Sequence, residues 1–276
     1  MTEKKYMIGM RPWHYYYVLR NSIDFAIRSK IAWNRPIKQS KMISISSILS
    51  HFDAQFQLHA KRLVNKYRLD SVALPFSVPL VQVNLYYLDL LIKTFSDLEL
   101  SLTEPLTVAD VGPSDWFYLP ALYSFLKYYQ HKEGRTIHID GYEIDPYRVY
   151  IDFHARQNYA KQRSAAFERV DYFPEAFSTH PGKYDLIMHF FPFLFLKDHL
   201  SWGLPKSLFN PQQLLEKLAE SLKPKGALLV INQGKDEHEL QKELIKQNGL
   251  KITRDFLYQS DYKKYQIEHY VMVITK

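Results

Sequence analysis

The 276-residue chain contains no cysteine, which excludes disulfides, thiolate metal sites and cysteine nucleophiles. It has no stretch approaching the roughly 20 uncharged apolar residues that cross a bilayer. The opening Met1-Thr-Glu-Lys-Lys leads into a mixed polar and aromatic segment without the apolar core of a secretory signal. No repeat or low-complexity segment is present. The expectation is a cytoplasmic protein with no transmembrane segment. Acidic residues are also scarce at the start. Residues 1–70 hold 13 Lys and Arg against four acids, whereas the whole chain carries +7. A basic amino-terminal part favours a polyanion, either nucleic acid or an anionic membrane surface, or is simply a solvated surface.

What is present is apolar material, 46% of the residues, enough for one large or two modest domains. Residues 1–100 read as a helical, basic domain suited to cap a substrate site. A helix is expected around Trp13–Ala32. A second is capped by Ser46 or Ser47 and continues to Tyr67, and a third opens at Pro79 and runs to Phe95. Asn34-Arg-Pro36 and Leu74-Pro75 punctuate the chain.

Residues 101–276 alternate strand and helix. Strands are expected at Leu106–Val111, Thr136–Glu143, Phe167–Tyr172, Tyr184–Met188 and Ala227–Ile231. The helices between them are Leu119–Tyr129, Pro146–Gln157 and one from Asn210-Pro211 through Leu222, ended by Lys223-Pro-Lys-Gly226. A helix over Glu237–Asn248 follows, then two strand-like runs, Leu250–Tyr258 and Glu268–Ile274. Strict alternation predicts an α/β fold, a mostly parallel doubly wound sheet of seven strands behind the amino-terminal helices.

Ligands of such sheets sit at the carboxyl ends of the strands. The ends read Asp110-Val-Gly112-Pro113-Ser114, Glu143-Ile144-Asp145, Asp171-Tyr172, His189-Phe190 and Asn232-Gln233. A carboxylate ending the second strand can accept both hydroxyls of a ribose. A glycine after the first lets the backbone approach a ligand and present N–H groups to its anionic end.

With these segments in order, residues 104–276 resemble the class I S-adenosylmethionine-dependent methyltransferases. Val108-Ala-Asp110-Val-Gly112 looks like motif I and Gly141-Tyr-Glu143-Ile-Asp145-Pro146 like motif II. Val170-Asp171-Tyr172 falls at the adenine-facing acid. Lys183-Tyr-Asp-Leu-Ile-Met188 and Leu222-Lys-Pro-Lys-Gly226 match the fourth strand and the passage into the fifth. The two closing runs match the family's final strand pair, its last strand inserted antiparallel. The resemblance implies S-adenosylmethionine as cofactor, Asp110, Gly112, Pro113 and Ser114 at its methionine end, Glu143 and Ile144 at the ribose, and Asp171 and Tyr172 at the adenine. The family loop is acid-x-Gly-x-Gly-x-Gly, whereas Ser114 and Trp116 stand here at the second and third glycines. Either residues 112–118 form a longer loop with Trp116 turned outward or over the pocket, or the loop is degenerate and the chain is a non-catalytic binding protein.

The methyl acceptor, small molecule or nucleic acid, is not identified by any motif. The run His189-Phe-Phe-Pro-Phe-Leu-Phe195 departs from the Asn/Asp-Pro-Pro-aromatic motif of the family's amino methyltransferases. His189 is the candidate catalytic base by position, with His199 second. A nicotinamide oxidoreductase is disfavoured by the missing Gly-x-Gly-x-x-Gly.

Overall fold

The computed structural model describes residues 3–37, 44–71, 77–96 and 104–276; the Leu74-Pro75 break lies outside them. Seven strands form one sheet in the order β3-β2-β1-β4-β5-β7-β6. They are β1 (Leu106–Val111), β2 (Ile137–Tyr142), β3 (Val170–Phe173), β4 (Tyr184–Phe190), β5 (Leu222–Gln233), β6 (Lys251–Tyr258) and β7 (His269–Thr275). All neighbours are parallel except β7, which runs antiparallel to both β5 and β6. The expected α/β architecture and the inserted last strand are both observed.

Side chains alternate across the sheet. Leu106, Val108, Met188, Leu229 and Ile231 enter one core, and Ala109, Ile187, Leu228 and Val230 enter the other. The first core is covered by α2 (Ile45–Leu49), α3 (Ala54–Lys66), α4 (Val78–Phe95) and α5 (Leu119–Tyr128), so buried side chains on both sides of residue 100 share it. The second is covered by α8 (Pro211–Ser221) and α9 (Gly234–Gln247). No helix among the described residues is long and apolar enough to cross a membrane.

Three expectations are corrected. The helix expected to run unbroken to Tyr67 is two, because Ser44 caps α2 and Asp53 caps α3, each accepting a backbone N–H. The helix expected over Pro146–Gln157 starts only at Arg156 and forms α6 (Arg156–Ser164). Residues 146–155 loop out because the Asp145 carboxylate draws Arg148 back to 2.8 Å, while Val149, Ile151 and Phe153 point to solvent. Lys223-Pro-Lys-Gly226 belongs to β5, where Leu222 pairs with Tyr184 across a register shift and Lys223 meets Asp185 at 2.7 Å.

The first helix, α1 (Pro12–Ile31), lies against the short α7 (Leu196–Ser201). It is anchored by polar residues. The Asn21 amide donates to the carbonyls of Leu200 (2.7 Å) and Leu204 (3.1 Å). Arg28 donates to both oxygens of the Asp145 carboxylate, at 2.7 and 3.1 Å, and to the Gly203 carbonyl. His14, Asn21 and Arg28 are spaced by seven residues and share one face, and that face is the inward one.

Candidate functional site at the strand ends

The loop from β1 to α5 keeps the backbone shape of a glycine loop with only the first of its glycines. Gly112 (φ +81°), Ser114 (φ +58°) and Trp116 (φ +59°) are all left-handed, at the three positions where the resembling family has glycine. Each non-glycine residue there costs about 1–2 kcal/mol. A Cβ built on Gly112 meets nothing within 4 Å, so the space above it is open.

The cost is offset beneath the loop. Trp116 is fully buried and its ring lies on Gly141 of β2, where a Cβ would stand 2.5 Å from a ring carbon. Its indole Nε1 donates to Asp110 at 2.7 Å, and the Tyr118 hydroxyl reaches both carboxylate oxygens at 2.9 Å. Trp116 is thus turned inward, neither outward nor over the pocket. Asp110 is wholly buried under the loop, held by Trp116 and Tyr118. Burial pushes its pKa up to about 7 in spite of those two donors. The exit of the loop is held from α4: Asn84 donates to the Phe117 carbonyl and accepts the Ala121 N–H, both at 3.0 Å.

Glu143 follows β2 and faces the loop. Its carboxylate accepts the backbone N–H of Ser114 and of Asp145, each at 2.8 Å, with Arg156 at 3.5 Å. Burial raises its pKa, opposed first by the Arg156 charge and then by the two amides. Pro113 is buried and its carbonyl accepts the Trp116 N–H at 2.9 Å; Ile144 is half-buried. The Tyr172 hydroxyl donates to the Ser114 carbonyl at 3.2 Å. Gly112, Pro113, Ser114, Glu143, Ile144 and Tyr172 are therefore gathered at one place. Asp171 is apart from them: it pairs with Asp140, three residues before Glu143, and its side chain is exposed. Beside Ser114 opens a cleft of about 580 Å³, lined by Phe117, Tyr150, Arg156, Tyr159 and Trp202 among others.

His189, near the end of β4, places Nδ1 3.0 Å from the Val111 carbonyl. A carbonyl only accepts, so Nδ1 carries the proton and Nε2 of the neutral ring carries the lone pair. Burial lowers its pKa, which keeps that lone pair free. His199, the second candidate, is buried and spends Nε2 on the Pro205 carbonyl at 2.9 Å. One pleat beyond Val230, the β5 residue paired with His189, Asn232 is fully buried with neither amide atom hydrogen-bonded to protein. Sequence reasoning missed Arg156, which it placed inside a helix, and gave Asn232 no role. The signal for Asn232 was a polar residue ending an otherwise apolar strand.

No family model matches the sequence, and no curated protein matches it. Among solved structures the chain is similar to a SAM-dependent methyltransferase from Aquifex aeolicus, with TM-score 0.46 and 19% identity over 82% of this chain and 100% of that one. It is also similar to a SAM-dependent methyltransferase from Leishmania major, with TM-score 0.49 and 13% identity over 78% of this chain and 82% of that one. A third is M. jannaschii TYW2 in complex with AdoMet, with TM-score 0.43 and 14% identity over 75% of this chain and 80% of that one. The fold itself rests on the strand order and the antiparallel β7.

Proposed function

We propose, from the methyltransferase-like fold of this chain, that it is an S-adenosylmethionine-dependent methyltransferase with its cofactor site over Gly112 and Glu143. The observation that carries this reading is the loop of three left-handed residues facing a buried carboxylate at the next strand end. The residues present fit the cofactor. The side of Gly112 is open. A carboxylate offers about four lone-pair directions, and Glu143 uses two on backbone amides and a third on a long contact with Arg156. The remaining capacity suits a ribose hydroxyl, with Arg156 the partner most easily displaced. Asp110 serves by holding the loop, and Ser114 and Tyr172 border the site.

The cofactor, when bound, supplies an electrophilic methyl group, so the chain has two tasks. It must orient an acceptor in line and, where the acceptor bears a proton, remove it. Nε2 of His189 suits the second task. The aromatic residues of the cleft suit a planar acceptor, and Asp115, Asp152, Arg156 and Arg163, which also line it, suit polar groups on that acceptor. Retention of the loop shape speaks against the reading in which the loop is degenerate and the chain only binds.

Calorimetric titration with S-adenosylmethionine and S-adenosylhomocysteine tests this. Heat is expected for the wild type, with affinity lowered roughly 10- to 100-fold in Glu143→Gln, the worth of a hydrogen bond to a charged group. A His189→Ala variant should keep the affinity and lose turnover. Absence of both heat and thermal shift at millimolar ligand would overturn the reading.

A further inference from the structure

The amphipathicity of α1 is reversed. A helix lying on a globular body normally buries its apolar stripe, yet α1 buries His14 and Asn21 and turns the half-buried Arg28 inward onto Asp145. It turns Tyr15, Tyr16, Leu19, Ile23, Ile27 and Ile31 to solvent, Leu19 being 65% exposed. The stripe continues into a neighbouring loop. The Trp33 indole donates to the Phe153 carbonyl at 2.8 Å, and Ile27, Ile31, Trp33 and Val149 line one open cleft. At that loop Ile151 is 100% exposed and Phe153 65%. Scattered exposed apolar residues need no explanation, whereas a contiguous helix face joined to an apolar loop marks an interaction surface.

Charge selects the occupant. Arg11, Arg20, Lys30 and Arg35 are all exposed along this segment, against two exposed acids on the surface: Asp24, which Arg20 meets at 3.2 Å, and Asp152 in the loop, which the Tyr159 hydroxyl and His154 engage. Trp13 and Trp33 stand near the two ends of the helix, where ring and N–H suit a boundary between apolar and wet. From this arrangement we infer that α1 and the 149–153 loop seat the protein on an anionic lipid surface. The apolar stripe enters the headgroup boundary and the basic side chains meet lipid phosphates. A second copy of the chain would bring two basic edges together. Nucleic acid would meet the basic side chains but leave the apolar stripe of Leu19, Ile23, Ile27 and Ile31 without a partner, and Arg28 is already spent on Asp145. The inference is independent of the cofactor site.

The test is sedimentation of the full chain with phosphatidylcholine vesicles, with and without phosphatidylglycerol. Binding is expected with the anionic vesicles and should weaken as salt is raised. Ile23→Ser and Ile27→Ser should each lower affinity roughly tenfold, and Ile151→Ser should lower it as well. Melting temperatures should stay unchanged, because these side chains point to solvent. The inference is overturned by absence of sedimentation, or by sedimentation that the substitutions do not diminish. It is equally overturned if the chain proves to be a dimer that the substitutions split without vesicle binding, or if it retards RNA but ignores vesicles.

Discussion

Asp110 sits where no water reaches it, and its folded pKa of about 7 lies above the ordinary 3.8. The folded state therefore holds this proton more tightly than the unfolded chain. Stability should fall as pH rises from about 4 to about 7 and then level off, with up to about 4 kcal/mol at stake. Asp110→Asn keeps an oxygen for Trp116 and Tyr118 without a charge. Its urea-melt stability should exceed the wild type at pH 8 and approach it at pH 5. Parallel profiles would show that Asp110 does not titrate in this way. The departure at Trp116 was plain in the sequence, because tryptophan stood where the family has glycine. Its resolution was not, since nothing local says that Gly141, 25 positions later, is the space the indole fills. Asp171 shows a related limit: the sequence puts an acid in the right segment but does not say which face of the strand its side chain takes, and that face is exposed.

At the scale of the element, α5 begins without a side-chain cap of its own. Asn84 of α4 supplies one, accepting the Ala121 N–H while donating to Phe117 and to Leu80 (2.9 Å). Asn84→Ala should therefore cost about 2 kcal/mol or more, read as a lower melting temperature, and should loosen the loop that α5 follows. Elements with strong local periodicity or caps, such as α4, α8 and the five parallel strands, were legible from spacing alone. The 146–155 loop was not. Its apolar residues carry helical spacing, but the buried carboxylates of Glu143 and Asp145 claim Arg156 and Arg148, and those contacts outweigh local preference. Lys223-Pro-Lys-Gly226 reads as a helix stop, yet the sheet extends β5 through it.

For the molecule as a whole, stability is unevenly distributed. α4 is embedded in the core that it shares with β1, β4 and β7: Tyr87 stacks on Tyr118 and Phe190, and the Tyr258 hydroxyl reaches Asp89 at 2.7 Å. α1 is held by a few hydrogen bonds and the Arg28–Asp145 pair, so opening it exposes little apolar surface. Amide hydrogen exchange should be rapid across α1 and slow across α4, and anionic vesicles should slow it in α1. Equal protection of the two helices would contradict this distribution. The burial of Trp116 has an optical consequence. Of the four tryptophans, Trp13, Trp33 and Trp202 are each nearly half exposed, and Trp116 alone is fully enclosed. The blue edge of the intrinsic fluorescence is thus the signature of one indole, lying directly beneath the loop that faces the ligand. The native chain carries its own reporter of that loop, readable without a label.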